Sequence, residues 1–457
     1  MTSLLDGWTP WPEEFVDRYW LSGHWHGFSL DQVLRDRAVR YGPRTALVHG
    51  DTRLTYAALN RRVDRAAAGF RLRGVGPRAR VVVQLPNVPE LVVTVFALVR
   101  AGALPVLCPP AYRTDEVARL VRGAEAVGYV GPTSHDGFDH GSMAAEIAAG
   151  SPFLRRVFTL DRPGESSPYG GLTTDTVGCH YFPLHSVDAP PVPALVLAAG
   201  QPALLLVADA ETQRVGGPRL VPRTHNDLVG QALTAAEAVA LTEDDVYLAA
   251  LPVGSASGLA SPGVIGTLAA GGTVVLTEHQ EPSEYAELAA REGVTVAAVE
   301  RDADVAPLLA GGVRWVQVVG GLGPGSPGSP GSPGGPGTAG PVGAARRVRR
   351  VLAPATGPVL LTPPGAADGE PGGPLTALSA DDELRVVDAE GAEVPDGEPG
   401  ELLARGPYTP RGFYRSPDAD ARAFTPDGRL RTGLLVRRTP TGSLELTGRV
   451  AEAPGGA

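Results

Sequence analysis

The sequence predicts an α/β fold with two doubly wound α/β subdomains followed by a small β subdomain. Three observations support this prediction. Short apolar runs that lack polar alternation are separated by helical segments, which indicates parallel strands covered on both faces. At 457 residues the chain is too long for one compact core. After Pro374 the pattern changes to short runs divided by Gly, Pro and Asp, which is typical of a small β subdomain.

Residues 1–195 are predicted to form the first α/β subdomain. Its elements in order are a helix around 30–34, a turn at 54–56 into an amphipathic helix, a strand at 80–87, a helix at 90–100 and a strand at 104–108. Proline closes both strands, at Pro86 and at Pro109. The segment 131–188 is richer in Ser, Gly, Asp and Pro, which predicts a boundary region between two series of strands.

Residues 196–374 are predicted to form the second α/β subdomain, 375–450 the β subdomain and 451–457 a linker stub. The second series contains a strand at Leu204, a helix after His225, strands at 246–250, 272–276, 294–299 and 315–319, and a helix at 285–291. Within it, the Gly/Ser/Pro segment 323–337 has nothing apolar to bury and is predicted to be a flexible surface loop. The strands predicted for the β subdomain are 384–387, 401–404 and 444–446.

Composition and charge narrow the functional classes. Hydrophobic residues make up 43% and charged residues 20% of the chain, as in a soluble globular protein. The formal net charge of -10 argues against binding to nucleic acid or to anionic membranes. The N-terminus lacks a signal segment and no stretch is long enough to span a bilayer, so a cytoplasmic location is predicted. With Cys108 and Cys179 as the only cysteines, neither a disulfide framework nor a thiolate metal site is expected.

Lysine is absent from this chain. All 40 residues in the combined count of lysine and arginine are arginine. The many Ala, Gly, Pro and Arg residues are typical of a G+C-rich genome, which we take as the cause. Any mechanism that requires a lysine ammonium is excluded for this chain, because a planar guanidinium does not reproduce its geometry.

Residues 203–225 predict a buried strand, a polar turn and a helix that begins near His225. A turn in this position binds phosphate when small residues let successive backbone N–H groups surround the anion and when hydroxyls and a lysine complete the site. Here Glu211, Gln213 and Val215 bring a carboxylate, a long amide and a β-branched side chain into the turn. These residue types disfavour phosphate binding.

Several motifs in a fixed order carry a resemblance that covers nearly the whole chain. They are W-T-P-W-P at 8–12, V-V-Q-L-P-N at 82–87, F-A-L-V-R-A-G-A-L-P-V at 96–106, P-R-T-H at 222–225, Y-L-A-A-L-P at 247–252, S-P-G-V at 261–264 and R-G-P-Y-T-P-R-G-F-Y at 405–414. In these motifs the chain resembles the 2,3-dihydroxybenzoate/salicylate–AMP ligase group of the acyl-adenylate-forming (AMP-binding, ANL) superfamily. The resemblance implies the N-terminal domain of adenylating enzymes, in which the β subdomain is barrel-like.

The resemblance also implies a reaction. An aryl carboxylate attacks the α-phosphate of ATP while Mg²⁺ and cationic side chains stabilise the phosphoryl charge, and the acyl-AMP then passes to the pantetheine thiol of an aryl carrier protein. The implied nucleotide-site positions are Thr212, Gly216, Gly217, Arg219 and Arg449. The implied acid-pocket positions are His225, Ser255, Ala256, Ser257, Ser261, Gly320 and Gly321.

The chain departs from the family pattern at the positions that perform this chemistry. Arg219 stands at the lysine of the phosphate loop, and Leu434 stands at the aspartate that accepts hydrogen bonds from both ribose hydroxyls. The segment 352–356 replaces the aromatic-Gly-x-x-Glu motif that holds adenine and magnesium, and Ala256 replaces the asparagine that orients the acid. The C-terminal domain that supplies the catalytic lysine is expected to be absent.

These departures predict a catalytically silent homologue of an aryl-acid–AMP ligase. No catalytic residue, metal site or cofactor is assigned, although ATP and Mg²⁺ belong to the family. The expected role is to bind an active adenylating enzyme, an aryl carrier protein or an aryl acid in siderophore or aryl-capped nonribosomal peptide assembly, with no nucleic-acid or membrane partner. The open alternatives are an impaired ligase complemented by another chain, an aryl-metabolite pocket that works without ATP, and a relic.

Two residue groups keep two interpretations each. His225 either contacts a ligand or simply begins the helix that follows it. The basic run 346–350 is either a solvated face or a docking segment for an acidic carrier protein or paired subunit.

Overall fold

The computed structural model describes residues 6–161, 173–174, 178–193, 195–208, 219–278, 282–300, 305–319, 348–352, 354–356, 359–363 and 374–450. In these ranges the strands form sheets of nine, eight, four and two strands. None of the helices in the described ranges has the length and apolar character needed to cross a bilayer.

The elements are numbered in chain order. The strands are β1 Thr45–His49, β2 Thr52–Thr55, β3 Arg80–Val83, β4 Leu104–Leu107, β5 Gly128–Pro132, β6 Ser134–His135, β7 Phe138–Asp139, β8 Arg156–Leu160, β9 Thr173–Thr174, β10 His180–Pro183, β11 Pro202–Val207, β12 Leu220–Thr224, β13 Val246–Ala249, β14 Thr273–Leu276, β15 Val296–Glu300, β16 Trp315–Val319, β17 Val348–Leu352, β18 Leu360–Leu361, β19 Thr376–Ala377, β20 Glu383–Val387, β21 Pro399–Arg405, β22 Leu430–Arg438 and β23 Leu444–Arg449. The helices are α1 Glu13–Leu21, α2 Leu30–Arg40, α3 Tyr56–Leu72, α4 Pro89–Arg100, α5 Thr114–Ala124, α6 His140–Gly150, α7 His225–Ala238, α8 Ala256–Ala260, α9 Gly263–Ala270, α10 Pro282–Glu292, α11 Ala306–Ala310 and α12 Pro417–Ala423.

The eight-stranded sheet has the order β12-β11-β4-β3-β5-β8-β10-β9. The strands from β11 to β10 run parallel, and the two outer strands are antiparallel. Val81 and Val83 pack in a core cluster with residues of α3 and α4, whereas Val82 packs on the other face with residues of α5 and α6. Helices therefore cover both faces of the sheet, and this explains why these strands lack polar alternation, as predicted.

The nine-stranded sheet has the order β19-β18-β17-β16-β15-β13-β14-β1-β2. It includes β1 and β2 from the start of the chain, whereas β11 and β12 from the middle of the chain belong to the eight-stranded sheet. The boundary predicted at 195/196 therefore does not coincide with the division between the two sheets.

Three local predictions are wrong. The segment 131–188 is not only a boundary region, since it contains β8, β10 and helix α6, which extend the first sheet and cover it. Residues 52–55 form strand β2, not a turn, and pair with β1 at a sheet edge. Residues 220–224 form strand β12, which pairs antiparallel with β11. Pro222 is tolerated there because β12 is an edge strand.

The last described segment forms an antiparallel sheet in the order β20-β21-β22-β23. One face of this sheet buries a cluster that includes Val386, Leu402, Leu434, Val436 and Leu444. The structure confirms the predicted fold class of α/β layers followed by a small β unit.

Candidate functional site

The P-R-T-H motif occupies the junction between β12 and α7. The Thr224 hydroxyl oxygen accepts a hydrogen bond from the Asp227 N–H at 3.1 Å, and Asp227 Oδ2 accepts one from the Thr224 N–H at 2.7 Å. This reciprocal capping box satisfies N–H groups that have no partner within the first helical turn. The other oxygen of Asp227 accepts from Arg223 Nε at 2.7 Å. The motif is thereby fixed to the start of α7.

Arg223 extends this arrangement into a buried chain of hydrogen bonds. It is 1% exposed, and its Nη2 donates to Gln231 Oε1 at 2.8 Å and to the Tyr408 carbonyl at 3.3 Å. Gln231 Nε2 donates in turn to Ser261 Oγ at 2.8 Å. A guanidinium is stable in the interior only when such partners replace water. One network therefore holds together the motif, Ser261, which is predicted to belong to the acid pocket, and the segment that carries Tyr408.

His225 begins helix α7, as one of its two interpretations states. Its Nδ1 accepts a hydrogen bond from the Leu30 N–H at 3.1 Å, which assigns the proton of the neutral ring to Nε2. Burial lowers the pKa of His225 to about 4, against a smaller opposing effect of Asp31. The imidazole is therefore neutral at neutral pH and joins the start of α2 to the start of α7. A ligand contact of His225 stays a prediction.

Acid is expected to destabilise the fold through His225. Its pKa in the unfolded chain is near 6.5, so the unfolded state binds the additional proton as the pH falls from 6.5 to 4. Stability that is present above pH 6.5 is lost through this window, by ~2–3 kcal/mol. Urea unfolding at several pH values measures this loss of stability. The variant His225→Asn is compared with the unsubstituted chain, because asparagine keeps a hydrogen-bond acceptor but does not titrate in this pH range. The free energy of unfolding should depend less on pH in His225→Asn than in the unsubstituted chain. The control His185→Asn, whose side chain is exposed, should keep the original pH dependence. An equal pH dependence in both variants would contradict the assignment to His225.

Residues 255–257, which are predicted to belong to the acid pocket, form the start of the short helix α8. Ser255 Oγ accepts from the Gly258 N–H at 3.0 Å and donates to the Pro252 carbonyl at 2.7 Å. Ala256 and Ser257 are buried. The amide of Asn87 binds the carbonyls of Ala249 and Leu251, which fixes the strand end before this segment. The Ser255 hydroxyl thus has a structural role as helix cap.

Leu434 lies in the interior of the four-stranded sheet. It is 9% exposed and packs with Leu402 and Val436. Its register partner across the sheet is Arg449, so two positions assigned to the nucleotide site are neighbours. Position 434 therefore carries an apolar side chain inside an apolar cluster, where the resemblance implies an aspartate.

The segment predicted to replace the adenine and magnesium motif is only partly described. Ala355 is 1% exposed and Thr356 is 4% exposed. Leu352, at the end of β17, packs against the core of the small β sheet. The segment therefore presents small and apolar side chains where the resemblance implies an aromatic ring and a glutamate.

Arg219 lies directly before β12. Its guanidinium carbon is 5.2 Å from the centre of the Phe413 ring, a cation–π contact. Burial lowers the pKa of Arg219, and the nearby Arg422 acts in the same direction while Asp420 opposes it. An arginine guanidinium nevertheless stays protonated in proteins. Arg219 therefore packs on the segment that follows Tyr408.

Several predicted positions lie outside the described residues. They are Thr212, Gly216, Gly217, Gly320 and Gly321, the loop 323–337, residues 346–347 of the basic run and the stub 451–457. Their assignments stay predictions. The structure brings together His225, Ser261 and the P-R-T-H motif through α7, and separately pairs position 434 with 449.

Sequence reasoning missed the residues that organise the site. These residues are Arg223, Asp227 and Gln231, which are spaced four residues apart. They therefore lie on one face of α7 and of the residues just before it. Polar side chains at this spacing within an Ala-rich segment are the signal that could have indicated a buried network.

Comparison with known proteins agrees with this architecture. Residues 34–177 match the sequence profile described as AMP-binding enzyme. Triostin synthetase I of Streptomyces triostinicus is 40% identical over 98% of this chain and 80% of its own length. The 2,3-dihydroxybenzoate-AMP ligase of Bacillus subtilis (strain 168) is 35% identical over 98% of this chain and 80% of its own length. The apo structure of Mycobacterium smegmatis MbtA matches with a TM-score of 0.82 at 35% identity, covering 99% of this chain and 81% of that one.

Proposed function

Because the chain belongs to the AMP-binding enzyme family, with 2,3-dihydroxybenzoate- and salicylate-AMP ligases among its relatives, we propose that it is a catalytically silent homologue of these ligases. Its role is to bind an active adenylating enzyme or an aryl carrier protein in siderophore or aryl-capped peptide assembly. The proposal combines a retained scaffold with altered positions for the nucleotide and the metal ion.

The observation that supports silence most directly is the position of Leu434. An active family member uses an aspartate there to accept hydrogen bonds from both ribose hydroxyls, whereas Leu434 is packed with Leu402 and Val436. A ribose placed against this side chain loses acceptors for its hydroxyls, and each unpaired group costs ~1–3 kcal/mol. ATP binding would therefore be weakened by at least tenfold at this position alone.

The residues at the predicted metal and adenine positions also support catalytic silence. Mg²⁺ is held in nucleotide sites by carboxylates and phosphates, and Thr356 offers a buried neutral hydroxyl where the family has glutamate. Leu352 replaces the aromatic side chain, and the chain contains no lysine to stabilise phosphoryl charge. The described residues at these positions do not fit a magnesium-bound nucleotide.

Calorimetry and isotope exchange test the proposal. Titration of the chain with ATP and MgCl₂ is expected to give no saturable heat at millimolar nucleotide, and the chain alone should catalyse no ATP–pyrophosphate exchange with 2,3-dihydroxybenzoate or salicylate. The Bacillus subtilis ligase, assayed in parallel, provides the positive control. Saturable binding of ATP with magnesium, or exchange above the blank, would overturn silence.

The substitution Leu434→Asp tests the position itself. Because it places a carboxylate in an apolar cluster, it is expected to lower the free energy of unfolding by ~2–3 kcal/mol without creating ATP affinity. Leu435→Asp is the matched control, since the neighbouring side chain is only half-buried and points to the other face of the strand. Urea unfolding and ATP titration of both variants give the result. A stable Leu434→Asp variant that binds ATP would show that position 434 still faces a working nucleotide site.

A second candidate is an impaired ligase that another chain complements. The buried network from Arg223 to Ser261 supports it, because it holds Ser261, a position predicted for the acid pocket, in place. Pyrophosphate exchange that appears only after addition of a purified neighbouring gene product would support this candidate. A rise in melting temperature with salicylate in the absence of ATP would instead support an aryl-acid binding protein.

A further inference from the structure

A groove lined by four arginines lies at the amino edge of the eight-stranded sheet. Its volume is about 550 Å³, and its charged lining consists of Arg71, Arg78, Arg80 and Arg156, without a carboxylate. Arg80 begins β3 and Arg156 begins β8, and both strands run parallel to β5 between them. The predicted phosphate turn follows the carboxyl end of β11 in the same sheet. The groove is therefore at the opposite edge of this sheet from the carboxyl end of β11.

Two of the four guanidinium groups are fixed by helix ends. Arg80 Nε donates to the Ala124 carbonyl at 2.7 Å and its Nη2 to the Glu125 carbonyl at 3.1 Å, at the end of α5. Arg156 Nε donates to the Arg73 carbonyl at the end of α3. Cations are stabilised at helix C-termini, where carbonyl groups lack partners. Arg80 also donates from Nη1 to the Arg78 carbonyl at 3.0 Å and from Nη2 to Glu125 Oε2 at 3.1 Å, so all three of its nitrogens are engaged and its guanidinium is held in place.

The turn after α3 is shaped to accept Arg156. Gly74 has a φ of +74°, and a Cβ atom there would lie 2.5 Å from Arg156 Nη2. Glycine thus lets the guanidinium lie directly on the turn. Within the part of the chain that the structure describes, the Arg71 side chain makes no hydrogen bond or ion pair. Glu125, the carboxylate bound to Arg80, is shared with Arg415, so it neutralises the charge of Arg80 only in part.

We propose that this groove docks an acidic helix of a protein partner. The proposal deepens the partner role suggested above and rests on it. The arginines that line the groove match carboxylates presented from outside, because a guanidinium binds a carboxylate in a bidentate manner.

The charge of the whole chain favours the same occupant. With a formal net charge of -10, the surface repels an acidic partner except where arginines cluster, so the groove would also orient the encounter. A nucleic acid extends its phosphates over a longer path and would meet the acidic surface beyond the groove. An acidic helix of a few turns concentrates its charge on the groove itself.

Fluorescence anisotropy with a labelled helical peptide tests the proposal. The probe has about 20 residues with glutamate on one face, and a second peptide carries glutamine at the same positions. The full chain is expected to bind the glutamate peptide and not the glutamine peptide. Arg71→Gln combined with Arg78→Gln should weaken binding about tenfold, whereas the control pair Arg40→Gln and Arg61→Gln, on exposed helical positions, should stay within about twofold. Circular dichroism confirms that both variants are folded.

Each other outcome overturns the assignment. Equal binding of both peptides, or equal losses in both variant pairs, removes the groove as an acidic-helix site. Tighter binding of a single-stranded DNA of similar length at the same arginines makes it a nucleic-acid site, and displacement of the peptide by equimolar pyrophosphate makes it a small-anion site. A loss confined to Arg346→Gln combined with Arg347→Gln moves the site to the basic run. ATP–pyrophosphate exchange by the chain alone would refute the proposed catalytic silence but would not affect the peptide measurements. Failure of the proposed function and failure of the groove as a docking site are therefore distinguishable.

Discussion

Replacing Arg100 with methionine is expected to lower the free energy of unfolding by about 3–4 kcal/mol, because it removes one partner from a buried ion pair. Arg100 is 4% exposed at the end of α4, and its Nε donates to Asp31 Oδ1. Its Nη1 donates to Asp64 Oδ1 at 2.9 Å and its Nη2 to Asn60 Oδ1 at 2.8 Å. These bonds join α2, α3 and α4. After the substitution Asp31 keeps Arg35, at 2.7 Å, so its charge is only partly compensated.

A matched control exists on the same two helices. Arg62 and Glu90 also pair between α3 and α4, at 3.0 Å, but their side chains are 42% and 30% exposed. Exposed pairs contribute ~0–1 kcal/mol, so Arg62→Met should change stability by less than about 1 kcal/mol. Urea unfolding followed by tryptophan fluorescence measures both variants. Similar small effects in Arg100→Met and Arg62→Met would show that burial of the network does not determine its contribution.

The regular parts of the fold could be predicted because their signal is local. The strands β4 and β13 are uninterrupted apolar runs, β3 is apolar after Arg80, and β16 is apolar except for Gln317. The helices between these strands have apolar residues at helical spacing. The edge strands β2 and β12 carry polar residues or proline, so their pairing depends on a distant neighbour in the sheet. Sequence patterns do not contain that information, which explains why both strands were missed.

For the candidate site too, the residue types could be predicted from sequence motifs, but the contacts of those residues could not. The replacement of aspartate by Leu434 follows from the motif, but its burial beside Leu402 depends on how the small β sheet closes its core. Arg223 was assigned only as part of a motif, and its bonds to Gln231 and Tyr408 depend on the packing of α7 against a segment nearly two hundred residues later. Side-chain identity could be predicted, whereas partner choice required the tertiary structure.

The substitution Arg223→Met is expected to be the most damaging change near the site, lowering the free energy of unfolding by about 3–5 kcal/mol. Methionine has a comparable length, so the loss comes from charge and hydrogen bonding more than from a cavity. Asp227 Oδ1 loses its donor, as do Gln231 Oε1 and the Tyr408 carbonyl. The matched exposed control is Arg437→Met, which breaks a pair with Glu445 whose arginine is 52% exposed.

A second variant separates buried charge from general packing. Adding Asp227→Asn to Arg223→Met removes the uncompensated carboxylate while the amide can still accept from the Thr224 N–H, so the double variant should recover about 1–2 kcal/mol relative to Arg223→Met. Urea unfolding of the two single variants and the double variant gives this coupling energy directly. If the losses of the single variants simply add, the buried carboxylate is not the cause. Arg223 would then act by filling space, and the network from the P-R-T-H motif to Ser261 would not be an energetic unit.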